Sequence, residues 1–392
     1  MQFLTPTGAP PPTFTLGFHD EATVAAMPYR PLGPRGPLVS LLSFGASAIA
    51  GAQRSDLVEA ESLRVVEEAV RSGINVIDTA PWYGFGESER LLGLALKRVP
   101  RSAYYLHTKV CRYRPAVLEQ FDFTYDRTIA SVKESLSRLQ LDYIDVVQVH
   151  DPEFAPSLDV VLTEVLPALA ALQAAGLVKR IGITGYPLDA LRYLADHCPP
   201  GVTIDTALSY CHFNLHDDSL VASGALAHLE ARGIGTIMGS PLSMGLLTAR
   251  GPPPWHPASP ELKARGAAAA AAAAARGADI AHLALHFALF SNPELPTILV
   301  GTASLERLAH DVEVAKGRHP LSEKDADTLA AVKREFFEGP DAERVRSWEG
   351  REVESYWVKV GKLERTKWTR ERAKFPDAIT EPEGEHNHFA KK

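Results

Sequence analysis

The chain has 392 residues, 45% of them hydrophobic and 23% charged, with a formal net charge of −7. That is enough chain to bury a full core without staples, as one large α/β barrel with extensions or as two ordinary domains. It carries neither a basic block suited to a phosphate backbone nor a run of about 18 uninterrupted apolar residues, which excludes nucleic-acid and membrane roles. The first twelve residues are polar and proline-rich, unlike a secretory signal. Cys111, Cys198 and Cys211 are an odd trio with no CxxC spacing, so reduced thiols in the cytoplasm are expected rather than a disulfide frame or metal site.

Residues 1–37 hold many Pro and Gly and read as an irregular leader. Beyond them, short apolar β-type runs predict strands at 38–44, 75–78, 104–109, 144–150, 180–184, 203–208, 235–239 and 297–300. Helical spacing falls between them, at 57–72, 87–97, 126–139, 158–175, 219–232 and 279–291, with another helix at 304–314. Nine alanines, 267–275, predict a helical filler. The charged, aromatic stretch after residue 339 (Trp348, Tyr356, Trp357, Trp368) is expected to pack partly on the body, with 381–392 disordered. Eight strand–helix units fit a closed (β/α)8 TIM barrel over 38–338, between a leader (1–37) and a C-terminal extension (339–392). An open dinucleotide-binding sheet is disfavoured, because no strand-to-helix turn carries GxGxxG.

In such a barrel the reactive groups sit at the C-terminal strand ends. The second strand ends in Asp78, with Trp82 and Tyr83 just beyond; the third ends in Lys109 and the fourth in His150. A tyrosine is a poor acid–base catalyst at neutral pH, but a nearby ammonium favours the phenolate, so Lys109 is expected to lower the Tyr83 pKa. Asp78 would pair with Lys109, and His150 could hydrogen-bond a substrate oxygen. The cluster suits proton transfer at a carbonyl or alcohol oxygen while a hydride moves at carbon. No side chain supplies a hydride, so a cofactor is required.

The stretch from Gly73 through Asn75, Asp78 and Trp82 to Gly84, followed by Glu87-Ser88-Glu89, resembles the aldo-keto reductase signature, and Lys109 and His150 follow in the family's order. The resemblance covers about 38–315 and implies Tyr83 as proton donor or acceptor, tuned by Asp78, Lys109 and His150. The family commonly grips the nicotinamide carboxamide with Ser-Asn after the fifth strand; Thr184-Gly185 stand here instead. Ser209 follows the sixth strand. Gly239-Ser240-Pro241-Leu242 resembles the pyrophosphate loop, with backbone amides and Ser240 meeting the diphosphate. In the turn after the eighth strand, Gly301, Thr302, Ala303 and Ser304 are uncharged where relatives preferring a 2′-phosphate place Lys or Arg. NAD is therefore expected, with NADP the alternative, and Arg307 matches the family's adenine-side arginine.

Ser209-Tyr210-Cys211-His212-Phe213 and His150-Asp151-Pro152-Glu153-Phe154 look most like the family's sugar dehydrogenases, which oxidise C1 of aldoses such as L-galactose or D-arabinose to lactones. Trp82, Asp151, His212 and Asn214 are the expected substrate contacts of a monomer or homodimer. Cys111, two residues past Lys109, is a packed cysteine or a reactive thiol. An NADPH-linked aldehyde or ketone reductase, and a cofactor-binding regulatory subunit, are the competing readings.

Overall fold

The computed structural model describes residues 2, 4–51 and 58–361. Eight parallel strands close a barrel: β1 (Leu42–Gly45), β2 (Val76–Asp78), β3 (Tyr105–Val110), β4 (Ile144–His150), β5 (Val178–Gly185), β6 (Ile204–Tyr210), β7 (Gly235–Gly239) and β8 (Thr297–Gly301). Each pairs with the next, and β8 returns to β1 with Val300 opposite Phe44. Strands buried on both faces read as near-continuous apolar runs, which is why these segments stand out in the sequence. Closure leaves no free edge.

The expected first strand divides in two. Leu38–Ser40 leaves the barrel to pair, antiparallel, with Tyr29–Pro31. Asn75 causes the division: its side chain accepts from the Ser40 amide (2.8 Å) and donates to the Leu38 carbonyl (2.9 Å), standing in for strand pairing. The leader is accordingly not irregular throughout, since it holds this ribbon strand and a helix, Glu21–Ala25, capped by Asp20. The ribbon closes the N-terminal end of the barrel, where Leu32 and Val39 pack with Val76, Leu208, Ile237 and Leu299. Gly235 permits that approach, since a Cβ there would lie 2.5 Å from the Leu32 carbonyl oxygen.

Helices sheathe the strands: α1 (Glu59–Arg71), α2 (Glu87–Ala95), α3 (Tyr125–Leu139), α4 (Leu166–Ala174), α5 (Leu188–Asp196), α6 (Ala225–Glu230), α7 (Pro260–Ala275), α8 (Ile280–Phe290) and α9 (Leu305–Ala315). The helix predicted over 219–232 is broken by Gly224 in the left-handed region (φ 75), leaving a single turn, Ser219–Ala222, before α6. The alanine run lies in α7, capped by Ser259, with Gly266, Ala269 and Ala273 buried along one side. Three helices follow the barrel: α10 (Glu323–Val332), α11 (Pro340–Val345) and α12 (Arg351–Lys359). Trp348, between the last two, is 2% exposed, so this part of the extension is packed in place. Residues 381–392 and Trp368 lie outside the described residues. Among the described residues no helix is long and apolar enough to cross a membrane.

Candidate active site

Asp78 and His150 are the last residues of β2 and β4, Lys109 is the last but one of β3, and Tyr83 opens the short turn Tyr83–Gly86 after β2. The Lys109 ammonium donates to one Asp78 carboxylate oxygen and to the Thr79 carbonyl at 2.8 Å. The other Asp78 oxygen accepts from Gln148 Nε2 at 2.7 Å. Held from two sides, Lys109 Nζ lies 4.8 Å from the centre of the Tyr83 ring. The His150 ring stands perpendicular to that of Tyr83, 6.0 Å between centroids. The four predicted residues thus share one mouth.

Burial works against the Lys109 charge, but Asp78 and then Tyr83 outweigh it, and the amine stays cationic with a raised pKa. Burial lifts the Asp78 carboxyl, and Lys109 and Gln148 offset part of the rise. Burial also drives His150 down to about 3, so its imidazole is neutral at physiological pH. Tyr83 departs from expectation. Lys109 does pull its pKa downward, but desolvation is the larger effect, and the phenol ends above its ordinary value.

Around the tetrad the rim is built from distant parts of the chain. Asp151, in the left-handed region (φ 50), pairs with Arg112 at 2.6 Å and lies 3.7 Å from His150 Nε2. The Arg112 guanidinium stacks 4.2 Å from the Trp82 ring centre and lies near Phe121 and Phe154. The extension completes this wall: Tyr356 of α12 meets Phe121 and Phe154 edge-on, at 5.2 and 5.5 Å. Glu352, one turn earlier on the same helix, is held above its ordinary pKa by burial, with Arg112 and Asp151 as its charged neighbours. Trp348 stacks on Tyr186, 4.7 Å between centroids.

Two expected substrate contacts turn out to be internal. His212 is saturated by Asp217 (3.1 Å), Ser219 (2.9 Å) and the Tyr186 carbonyl (2.6 Å). Asn214 donates to the Cys211 carbonyl (2.8 Å) and accepts from the amides of His216 and Asp217. With every polar atom engaged, both shape the loop after β6 rather than face a substrate. Cys111 is fully buried, and desolvation raises its thiol pKa, which makes it a packed cysteine and not a reactive one.

The residues that resemble cofactor contacts lie along the strand ends from β5 to β8. Thr184 pairs in register with His150 and Leu208, and Ser209 with Gly185. Ser209 Oγ is buried without a partner. After β7, Ser240 adopts φ 65 and its amide is already donated to the Leu299 carbonyl (3.2 Å), so Ser240 would meet a diphosphate through its side chain instead. Pro241 has no amide to offer, and Leu242 follows it half-buried. Gly239 and Gly301 end their strands without side-chain bulk, Gly301 exposed. Thr302 is buried, Ser304 caps α9, and Arg307 is exposed in the first turn of that helix. Small residues, the unpartnered Ser209 hydroxyl and a capped helix start are of the kind that suits an extended, polar dinucleotide.

Gln148 was open to sequence reasoning, because it sits two residues before His150 and so shares its face of β4. Arg112 and Glu352 carry no local signal: one looks like an ordinary basic residue past a strand, the other lies some two hundred residues from His150 in sequence.

Residues 41–334 match the aldo/keto reductase family. The chain is 44% identical over 305 residues to L-galactose dehydrogenase from Arabidopsis thaliana, covering 77% of this chain and 92% of that protein. It is 33% identical over 312 residues to D-arabinose 1-dehydrogenase from Saccharomyces cerevisiae, covering 76% and 91%. The solved structure of an aldo-keto reductase from Bacillus halodurans in its holo form shares the fold, with a TM-score of 0.61 at 24% identity over 78% of this chain and 96% of that one. The chain belongs to the aldo/keto reductase family and is an oxidoreductase of the kind that works with NAD(P)(H).

Proposed function

We propose that the protein oxidises an aldose at C1 to the lactone with NAD, using Tyr83 as the acid–base group. The observation that carries this reading is the buried Asp78–Lys109 pair aimed at Tyr83 beside a neutral His150. The likeness to two sugar dehydrogenases supports the substrate class. Oxidation at C1 removes the proton of the anomeric hydroxyl, and a hydrogen leaves carbon with its electron pair, so that C1 becomes the lactone carbonyl. NAD, when bound, accepts that hydrogen and electron pair.

The chain's own groups manage the proton. Tyr83 Oη takes it from the C1 hydroxyl, and the Lys109 ammonium at the ring stabilises the phenolate needed for that step. Asp78 and the Thr79 carbonyl stop Lys109 from turning away. His150 is uncharged, so it orients the sugar oxygen by hydrogen bonding without competing for the proton. Arg112, Asp151 and Trp82 offer donors, acceptors and an apolar face to the remaining hydroxyls. The four residues 301–304 bring no cation to a 2′-phosphate, which favours NAD over NADP. The free cysteines suit a reducing compartment such as the cytoplasm.

The test is formation of reduced cofactor with L-galactose, D-arabinose, L-fucose and a simple alcohol, each with NAD or NADP. The expected result is rapid turnover of an aldose, with kcat/KM at least about tenfold higher for NAD. Turnover only of aldehydes with NADPH would remove both the sugar and the NAD assignment while keeping the tetrad.

A further inference from the structure

Four of the chain's 14 histidines gather where α8, α9 and the turn after α9 meet, and the proposed chemistry uses none of them. His282 and His286 lie four residues apart on α8, so they share one face of that helix. His310 faces them from α9, with its Nε2 3.3 Å from His282 Nδ1 and the two ring centroids 5.3 Å apart. His286 lies 5.8 Å from His282 and His319 lies 5.7 Å from His310, centroid to centroid. His286 Nε2 is buried and has no hydrogen-bond partner. A single N–H···N bond accounts for the closest pair, but not for two further imidazoles beside it.

The spacing of the closest pair is that of two ligands on one ion. Tetrahedral zinc, at Zn–N of about 2.0–2.1 Å, sets its ligand nitrogens about 3.3 Å apart and their ring centres roughly 5 Å apart. The imidazoles are also in the right form. Burial and then His310 lower the His282 pKa, and burial and then His282 lower that of His286, so both rings are neutral with a free lone pair at neutral pH. The carboxylates of Asp279 and Asp325 act on His282 in the opposite sense and favour a cation there. Among the described residues no group of three or more His, Cys, Asp or Glu side chains is already arranged to hold a metal ion. The pair is therefore the ready half, and a third ligand has to turn in.

We propose that His282 and His310 form the ready half of a site for a borderline divalent cation such as zinc, which His286 completes by turning its Nε2 toward the ion. An ion held there staples α8 to α9 on the outside of the barrel. The test is zinc binding to the full-length, tag-free, chelator-treated protein by titration calorimetry, with cobalt(II) as a spectroscopic stand-in. Wild type should bind zinc, gain thermal stability from it, and give the intense visible bands of tetrahedral cobalt. His282→Gln and His310→Gln should each weaken binding about tenfold or more, and the double variant should lose the thermal gain. His286→Gln should keep weaker binding and show only the pale spectrum of octahedral cobalt. Thermal midpoints without metal should match wild type in every variant, since these side chains are at the surface or half-buried. Failure of wild type to bind zinc overturns the inference. So does binding that the double variant leaves unchanged, which would mark an adventitious ion only. A pale octahedral spectrum in wild type removes His286 from the site. None of these readouts uses turnover, so they stand whether or not the aldose assignment holds.

Discussion

Two acid–base pairs sit at opposite ends of the barrel and have opposite characters. At the closed end Arg101 pairs with Asp145 at 2.5 Å, donates to the Tyr104 carbonyl at 3.0 Å, and stacks 4.1 Å from the Tyr143 ring centre. The same Asp145 oxygen accepts the Leu106 amide at 2.8 Å. That pair is spent on holding strands and turns together. At the open end Lys109 binds Asp78 and Thr79 and still presents its charge to the Tyr83 ring. Similar chemistry ties strands and turns together at one end, and at the other it faces the ring of the proposed acid–base group.

The largest effect that would break this contrast is on turnover. Tyr83→Phe should lower kcat about 10³-fold, with cofactor binding and the thermal midpoint little changed, as stopped-flow and calorimetry would report. Retained activity would deny the open-end cluster its role. Next comes the double comparison. Arg101→Met should lower stability in urea by about 2–4 kcal/mol at nearly unchanged kcat, while Lys109→Met should abolish turnover as well as destabilise. Equal kinetic losses from both would erase the distinction between the ends.

Smaller and sharper is the pH dependence. Tyr83 must be ionised to take a proton, and burial raises its pKa, so the rate of aldose oxidation should climb through the alkaline range. Carbonyl reduction, which needs the protonated phenol, should fall over the same range. A flat oxidation profile from neutral to alkaline pH would rule out Tyr83 as the base. Smallest at working pH is a stability effect. His107 and His150 are held down to about 3, and His216 and His256 to about 4, all neutral by burial. Below pH 6.5 the unfolded chain binds protons that these four refuse, so each lowers stability by up to about 1.4 kcal/mol per pH unit as pH falls towards 4. Burial opposes the charge on His212, but Asp217 outweighs it and its pKa is raised, so it works in the opposite sense: its stabilisation is fully present below the unfolded value of about 6.5 and is lost as pH rises above it. Thermal midpoints measured between pH 7 and 4 would show whether the decline occurs.

Much of the active end was legible because its residues terminate strands that are themselves legible. Buried parallel strands are apolar runs, and polar residues interrupting them at or next to their last position (Asp78, Lys109, His150) stand out against that background. The division of the first strand was not readable, because it depends on Asn75 reaching back to Ser40, a contact made only when the barrel closes. Nor was the fate of His212 and Asn214, since polar residues after a strand look alike in sequence whether they face a ligand or one another. The sign of the Tyr83 shift escaped for a related reason. A neighbouring charge can be inferred from sequence, whereas the depth of burial that outweighs it cannot.

The wall formed by α12 has a consequence in time. Ribosomes deliver β8 before residue 302, and the sheet can close from that point, but Trp348, Glu352 and Tyr356 emerge some fifty residues later. A nascent barrel is therefore complete as a fold while its pocket still lacks one side. The tetrad lies within the segment that matches the family, residues 41–334, and the wall residues Trp348, Glu352 and Tyr356 lie beyond it. Changes confined to the tail would thus alter the wall beside the tetrad without altering Asp78, Tyr83, Lys109 or His150.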